Sequence, residues 1–224
     1  MLEKIELETR PAPTWSVIWM HGLGADGRDF EPIVPQLVAR TWPAIRFIFP
    51  HAPVRPISIN GGMRMRGWYD ILGVEIENRQ DEVGIRDSIA KIERLIARER
   101  LRGIPSENVV LAGFSQGGAI ALAAGLRHSQ KLAGIVALST YLPLADRTEA
   151  EIHPASRGTP VFMGHGTEDP VIPQALGSMS RDWLSVRGYP VQWHSYEMPH
   201  SVCPQEIADL AAWLQAAVFP RADA

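Results

Sequence analysis

The run Val109-Val110-Leu111-Ala112-Gly113-Phe114-Ser115-Gln116-Gly117-Gly118 restricts the fold more than any other stretch of the chain. It reads as a buried strand, then a Gly-x-Ser-x-Gly turn, then the start of a small-residue helix. A serine on such a sharp strand-to-helix turn has its hydroxyl pushed out at the carboxyl end of a sheet. Gly113 and Gly117 stand two residues either side of Ser115, where a Cβ would crowd the turn. A glycine-rich phosphate cradle is the competing reading. A Walker loop, however, needs a Gly-Lys-Ser/Thr run after its glycines, and no lysine follows here.

Strand-like and helix-like segments alternate along the rest of the chain. Residues 2–8 read as a short edge strand, and residues 16–20, 45–49, 134–138, 160–164 and 191–196 as further strands. Several of these are apolar on both faces, as central strands between two helical layers should be. Helices are expected over 29–40, 78–102, 116–128, 174–187 and 204–218. The longest carries Ile85, Ile89, Ile92 and Ile96 as one stripe, with Glu82–Arg86 and Asp87–Lys91 as i,i+4 pairs on its wetter side. This alternation implies an α/β fold: a mostly parallel sheet with helices on both faces. No linker or repeat divides it, so residues 1–224 are expected to form one domain without a separate cap.

Composition excludes other classes. Hydrophobic residues make up 46% and charged residues 21%, with a formal charge of -3, so no basic face is available for nucleic acid. The one cysteine, Cys203, forbids an intrachain disulfide and reads as a small apolar core residue. No stretch approaches the roughly 20 apolar residues of a membrane span. Met1 to Glu6 lacks the basic start and apolar run of a secretory signal. A cytoplasmic location without stable membrane insertion is the resulting expectation.

A serine needs a base, and the base needs a carboxylate to orient it. In α/β sheets these groups gather just beyond the carboxyl ends of strands. Asp169 follows the strand at 160–164, with Glu168 as its direct rival, and His200 follows the strand at 191–196. The chain order Ser115, Asp169, His200 is that of α/β hydrolases. Two backbone N–H groups are expected to receive the oxyanion: Gln116, next to the serine, and Leu23, on the loop His21-Gly22-Leu23-Gly24. His21 and His165 read as loop-shaping and His194 as structural, while His51, His128 and His153 show no partner signal. No histidine pair has metal-ligand spacing with a third ligand, so no metal site is expected.

The motifs HGLGADG, GFSQGGAIAL, HGTEDPVIP and the histidine of YEMPHSV together resemble the carboxylesterase and acyl-protein thioesterase (lysophospholipase-like) family of small α/β hydrolases. The loop NGGMRMRGWYDI resembles that family's bacterial carboxylesterase branch. The resemblance spans about Trp15 to Trp213. It implies Ser115, Asp169 and His200 as a triad, Leu23 and Gln116 as the oxyanion hole, and no metal or organic cofactor. The implied activity is hydrolysis of short- to medium-chain carboxylic esters, thioesters or lysophospholipids through an acyl-enzyme. The alternatives are an acyl-protein thioesterase acting on S-acylated proteins and a weakly catalytic ligand-binding scaffold. Peptide or lactone hydrolysis ranks below these. One departure stands out: Thr140 occupies a position where glycine is expected, which puts the pocket wall in question.

Residues 50–76 show no period yet are too apolar for disorder. Met63, Met65, Trp68, Tyr69 and Leu72 on this loop read equally as ordinary packing and as the lining of a groove for the ester substrate or a homodimer contact.

Overall fold

The computed structural model describes residues 2–73 and 80–219. In chain order the strands are β1 (Lys4–Glu8), β2 (Trp15–Met20), β3 (Ile45–Pro50), β4 (Val54–Ile57), β5 (Met63–Arg66), β6 (Val109–Phe114), β7 (Gly134–Leu138), β8 (Val161–Gly166) and β9 (Val191–Tyr196). The helices are α1 (Val34–Leu37), α2 (Glu82–Leu101), α3 (Gln116–Arg127), α4 (Ala145–Glu151), α5 (Gln174–Val186) and α6 (Pro204–Trp213). Among the described residues, seven strands form one sheet in the order β1-β3-β2-β6-β7-β8-β9, and β4 pairs with β5 apart from it. β1 runs antiparallel to β3, and the other pairings in the large sheet are parallel.

The inner strands β2, β3, β6, β7 and β8 are buried on both faces because each face meets helices. Ile18, Met20, Leu111, Ile135 and Met163 point into one core, against Ile85 and Ile92 of α2 and the alanines of α3. Their neighbours Val17, Trp19, Val110, Val136 and Phe162 point into the other, against Leu37 of α1 and Leu210 and Trp213 of α6. Period-2 alternation thus sorts each strand between two cores.

Three expectations need correcting. Residues 29–40 do not form one helix. They fold as 3-10 turns at Gly27–Asp29 and Glu31–Ile33 followed by the single turn of α1. Pro32 and Pro35 each lack an N–H and so open a new turn rather than continue one. The stretch expected to be irregular holds the β4–β5 hairpin, turned by Gly61 and Gly62 at positive φ. Its strands escaped notice because they are four residues long and largely unburied, with Pro56 inside one of them. Helix α4 had no counterpart among the expected elements. The long helix begins at Glu82, capped by the Asp81 carboxylate on Gly84 N–H; positions 78–79 of the expected span lie outside the described residues. The last helix passes from α into one π turn at Leu214–Val218.

Ions fasten α2 to the antiparallel edge. Arg46 on β3 is buried and donates to Glu8 at 2.9 Å and to Glu99 at 2.7 Å. Glu99 is wholly buried and takes a second bond from Arg102 at 2.9 Å. Removing one partner of a buried pair strands the other charge. Glu99→Ala is therefore expected to lower the unfolding free energy by about 3 kcal/mol, read from urea denaturation, whereas removing the exposed Arg86–Glu82 pair should change it by less than about 1 kcal/mol.

Candidate active site

The turn after β6 holds Ser115 at φ 56° and ψ −124°, a conformation that a non-glycine residue adopts only under constraint. Ser115 N–H donates to Leu138 O at 2.9 Å, and its carbonyl accepts from Ala119 N–H at 3.0 Å and from the Thr140 hydroxyl at 2.7 Å. The flanking glycines are required by contact. A Cβ at Gly117 would lie 2.2 Å from Met20 O, and one at Gly113 would lie 2.2 Å from the Gly117 carbonyl carbon. Thr140 belongs to this framework. It is buried, its hydroxyl bonds Ser115 O, and its methyl would sit 2.7 Å from a Cβ at Gly118.

Asp169 stands three residues beyond β8 and His200 four beyond β9. His200 Nδ1 lies 2.7 Å from Asp169 Oδ2, while Asp169 Oδ1 accepts the N–H groups of Val171 and Ile172, each at 2.8 Å. The carboxylate side chain is fully buried and loses its water to these donors. Placing the proton on Nδ1 leaves Nε2 as the acceptor nitrogen of His200. Phe114 packs on the imidazole, ring centroids 4.7 Å apart. Glu168, the rival acid, is exposed.

Two buried histidines shape the surrounding loops. His21 Nε2 accepts from Ala52 N–H at 3.0 Å, so its Nδ1–H donates to Gly22 O at 2.6 Å. His165 lies at the end of β8, its Nε2 2.9 Å from Ile172 O and 3.5 Å from Asp169 Oδ2. Burial pushes the pKa of both below the usual histidine range, which keeps them neutral. The histidines without a sequence signal do have partners: His128 meets Glu93 and Ser106, His51 accepts from Gly27 N–H, and His153 accepts from Ala155 N–H. His194 stacks between Phe162 and Tyr196. Cys203 is half-buried at the N-cap of α6 rather than in the core.

The side chain of Gln116 has a task that the sequence did not reveal. Its Oε1 accepts from Trp68 N–H at 3.0 Å and its Nε2 donates to Tyr69 O at 2.9 Å. Trp68 in turn donates its indole N–H to His21 O at 2.8 Å. Gly24 N–H donates to Arg66 O at 2.8 Å, which ties the glycine-rich loop to the hairpin. The N–H groups of Leu23 and Gln116 have no acceptor among the described residues.

Ser115 and His200 open onto one cavity of about 260 Å³, walled by Leu23, Tyr69, Ile71, Tyr141, Val171 and Ile172. The Tyr69 and Tyr141 hydroxyls are 3.1 Å apart, and burial raises the Tyr69 pKa well above the usual range. Of the loop residues expected here, only Tyr69 lines the wall. Trp68 is wholly buried behind it, Met65 packs by Gly24, Leu72 is half-buried off the wall, and Met63 is 65% exposed on β5. Both methionines belong to β5 of the hairpin, and neither lines the cavity. Among the described residues no cluster of three or more metal-ligating side chains occurs, and no helix is long and apolar enough to cross a membrane.

This fold, with a serine at a strained strand–helix turn beside a His–Asp pair, defines an α/β hydrolase. The chain matches the model of the phospholipase/carboxylesterase family over residues 3–218. It is 39% identical to acyl-protein thioesterase 1 of Cryptococcus neoformans, covering 97% of this chain and 98% of that one. It is 44% identical to acyl-protein thioesterase 1 of Neurospora crassa, covering 87% and 83%. The crystal structure of Zea mays acyl-protein thioesterase 2 superposes with a TM-score of 0.81 at 28% identity, covering 96% and 99%. The chain belongs to the phospholipase/carboxylesterase family and is a carboxylic ester hydrolase. The expected placement in a bacterial branch draws no support from these relatives, which are fungal and plant thioesterases.

Gln116→Ala leaves the backbone N–H in place but unpins Trp68 and Tyr69. It is expected to cost about 2 kcal/mol of stability by urea titration and to lower kcat/KM on a 4-nitrophenyl ester roughly tenfold.

Proposed function

We propose that this chain is an acyl-protein thioesterase that acts through Ser115, Asp169 and His200. The observation that carries this reading is the 2.7 Å His200–Asp169 bond at the mouth of an apolar cavity that Ser115 also lines. Ser115 Oγ attacks the thioester carbonyl as His200 Nε2 takes its proton, while Asp169 holds the imidazole tautomer. The tetrahedral oxyanion is received by the N–H groups of Leu23 and Gln116, which have no other acceptor among the described residues. His200 returns the proton to the leaving thiol, and water then frees the acid by the reverse route. The apolar wall suits a hydrocarbon acyl chain. No step calls for a metal or organic cofactor.

The fungal relatives carry the name of this activity, which favours S-acylated proteins over free esters as natural substrates. The same acyl-enzyme would form from a small oxyester, so carboxylesterase activity accompanies the thioesterase. A cytoplasmic setting suits such substrates.

Ser115→Ala is expected to lower turnover of an S-octanoyl peptide and of 4-nitrophenyl octanoate by at least about 1,000-fold. Asp169→Asn should cost about 10,000-fold with the fold intact by circular dichroism. Near wild-type turnover in the serine variant would reject the mechanism. Wild-type turnover confined to the oxyester would reject the thioesterase reading and leave an esterase.

A further inference from the structure

Helix α6 starts four residues after His200, and its first turn carries an acid that the proposed chemistry does not use. Glu206 is wholly buried, and neither carboxyl oxygen has a hydrogen-bond partner among the described residues. Its Oε1 lies 2.1 Å from where a Cβ would stand on Gly164 of β8. Gly164 precedes His165, and β8 leads directly into the Asp169 loop. The Glu206 carboxyl therefore fills the contact between the helix that follows His200 and the strand that leads to Asp169.

The groups facing it do not favour a negative charge. Gly164 offers no side chain. From β9 comes Tyr196, whose hydroxyl donates to Asp209 at 3.1 Å. From α6 itself comes Asp209, Cys203 at its N-cap acts on Tyr196, and His194 lies 3.6 Å from Asp209. The partial positive end of α6 is the one feature that favours ionisation, and burial outweighs it. Burial, with Asp209 adding to it, pushes the Glu206 pKa up to about 8.

We propose that Glu206 is a positioning residue for the His200–Asp169 pair. Its uncharged carboxyl seats α6 on β8, and loss of that proton parts the two loops and disengages the base. This rests on the roles proposed for Ser115, Asp169 and His200. The folded-state pKa is raised above the unfolded value, so the native protein holds the extra proton. The stabilisation is complete below the ordinary carboxylate range and is lost as pH rises toward about 8.

The test compares wild type, Glu206→Gln and Glu206→Met. Two quantities are followed from pH 6 to pH 9.5: the rate of fluorophosphonate labelling at Ser115 and the thermal midpoint. Each labelling profile is normalised to its own value at pH 7. The wild-type rate should turn down near pH 8 and fall roughly tenfold per further pH unit, while both variants stay flat. The midpoints of the variants should gain on the wild type as pH rises. The same alkaline decline in all three proteins, or a flat wild-type profile, would overturn the role of Glu206 and leave the triad standing. Should Glu206→Gln not fold, the apolar Glu206→Met decides by the same readings. A wild type that never labels rejects the serine mechanism itself, and the midpoint series then still reports whether Glu206 carries the proton.

Discussion

The contact between Gly113 and Gly117 sets the geometry on which the rest of the site depends. Ser115 sits at positive φ because the chain must reverse from β6 into α3 within one residue. Such a conformation costs about 1–3 kcal/mol, and it persists because several bonds fix it from different elements. Leu138 of β7 takes the Ser115 N–H, Thr140 takes its carbonyl, and Met20 of β2 blocks any side chain at Gly117. Both strands that flank β6 thus fasten the elbow. That fastening, and not the serine alone, holds Ser115 where it lines the cavity.

Burial is offset in the same way at the acid. Asp169 has lost solvent from its side chain, yet three donors from its own loop and the His200 loop reach its two oxygens. Two of these are backbone N–H groups at Val171 and Ile172, whose side chains also wall the cavity. One short loop therefore orients the acid and shapes the substrate surface. Changing its path to suit another acyl group would disturb the imidazole as well.

How far the sequence could be read follows from how local each cause was. The five inner strands of the sheet were legible because two-sided burial leaves nearly continuous apolar runs, the edge strand β1 by its weak alternation, and a parallel sheet gathers functional side chains just past strand ends. Ser115, Asp169 and His200 could be picked out by that rule without knowing a single distance. Residues 29–40 misled because their apolar spacing suited a helix while Pro32 and Pro35 overrode it. The cavity wall was legible only in part. Periodicity failed across the loop, and composition pointed to Met63 and Met65, which sit on the hairpin and do not line the cavity, while Ile71 and Tyr141 do. The isoleucine and valine of the Asp169 loop were visible as Val-Ile-Pro, but no period marked them as wall. The Gln116 side chain gave no sign, since its partners are backbone atoms 47 and 48 residues away.

That last contact changes how the loop and the nucleophile are related. Gln116 is proposed to offer its N–H to the oxyanion, and the same residue grips Trp68 and Tyr69 through its amide. Trp68 holds His21 O, and His21 holds Gly22 O, next to Leu23, the other proposed oxyanion donor. A path of hydrogen bonds therefore runs from Gln116 through Trp68 and His21 to Gly22, the residue before Leu23. Under the proposed mechanism a wall residue and an oxyanion donor thus share Gln116, and substrate preference is expected to appear in kcat as well as in KM.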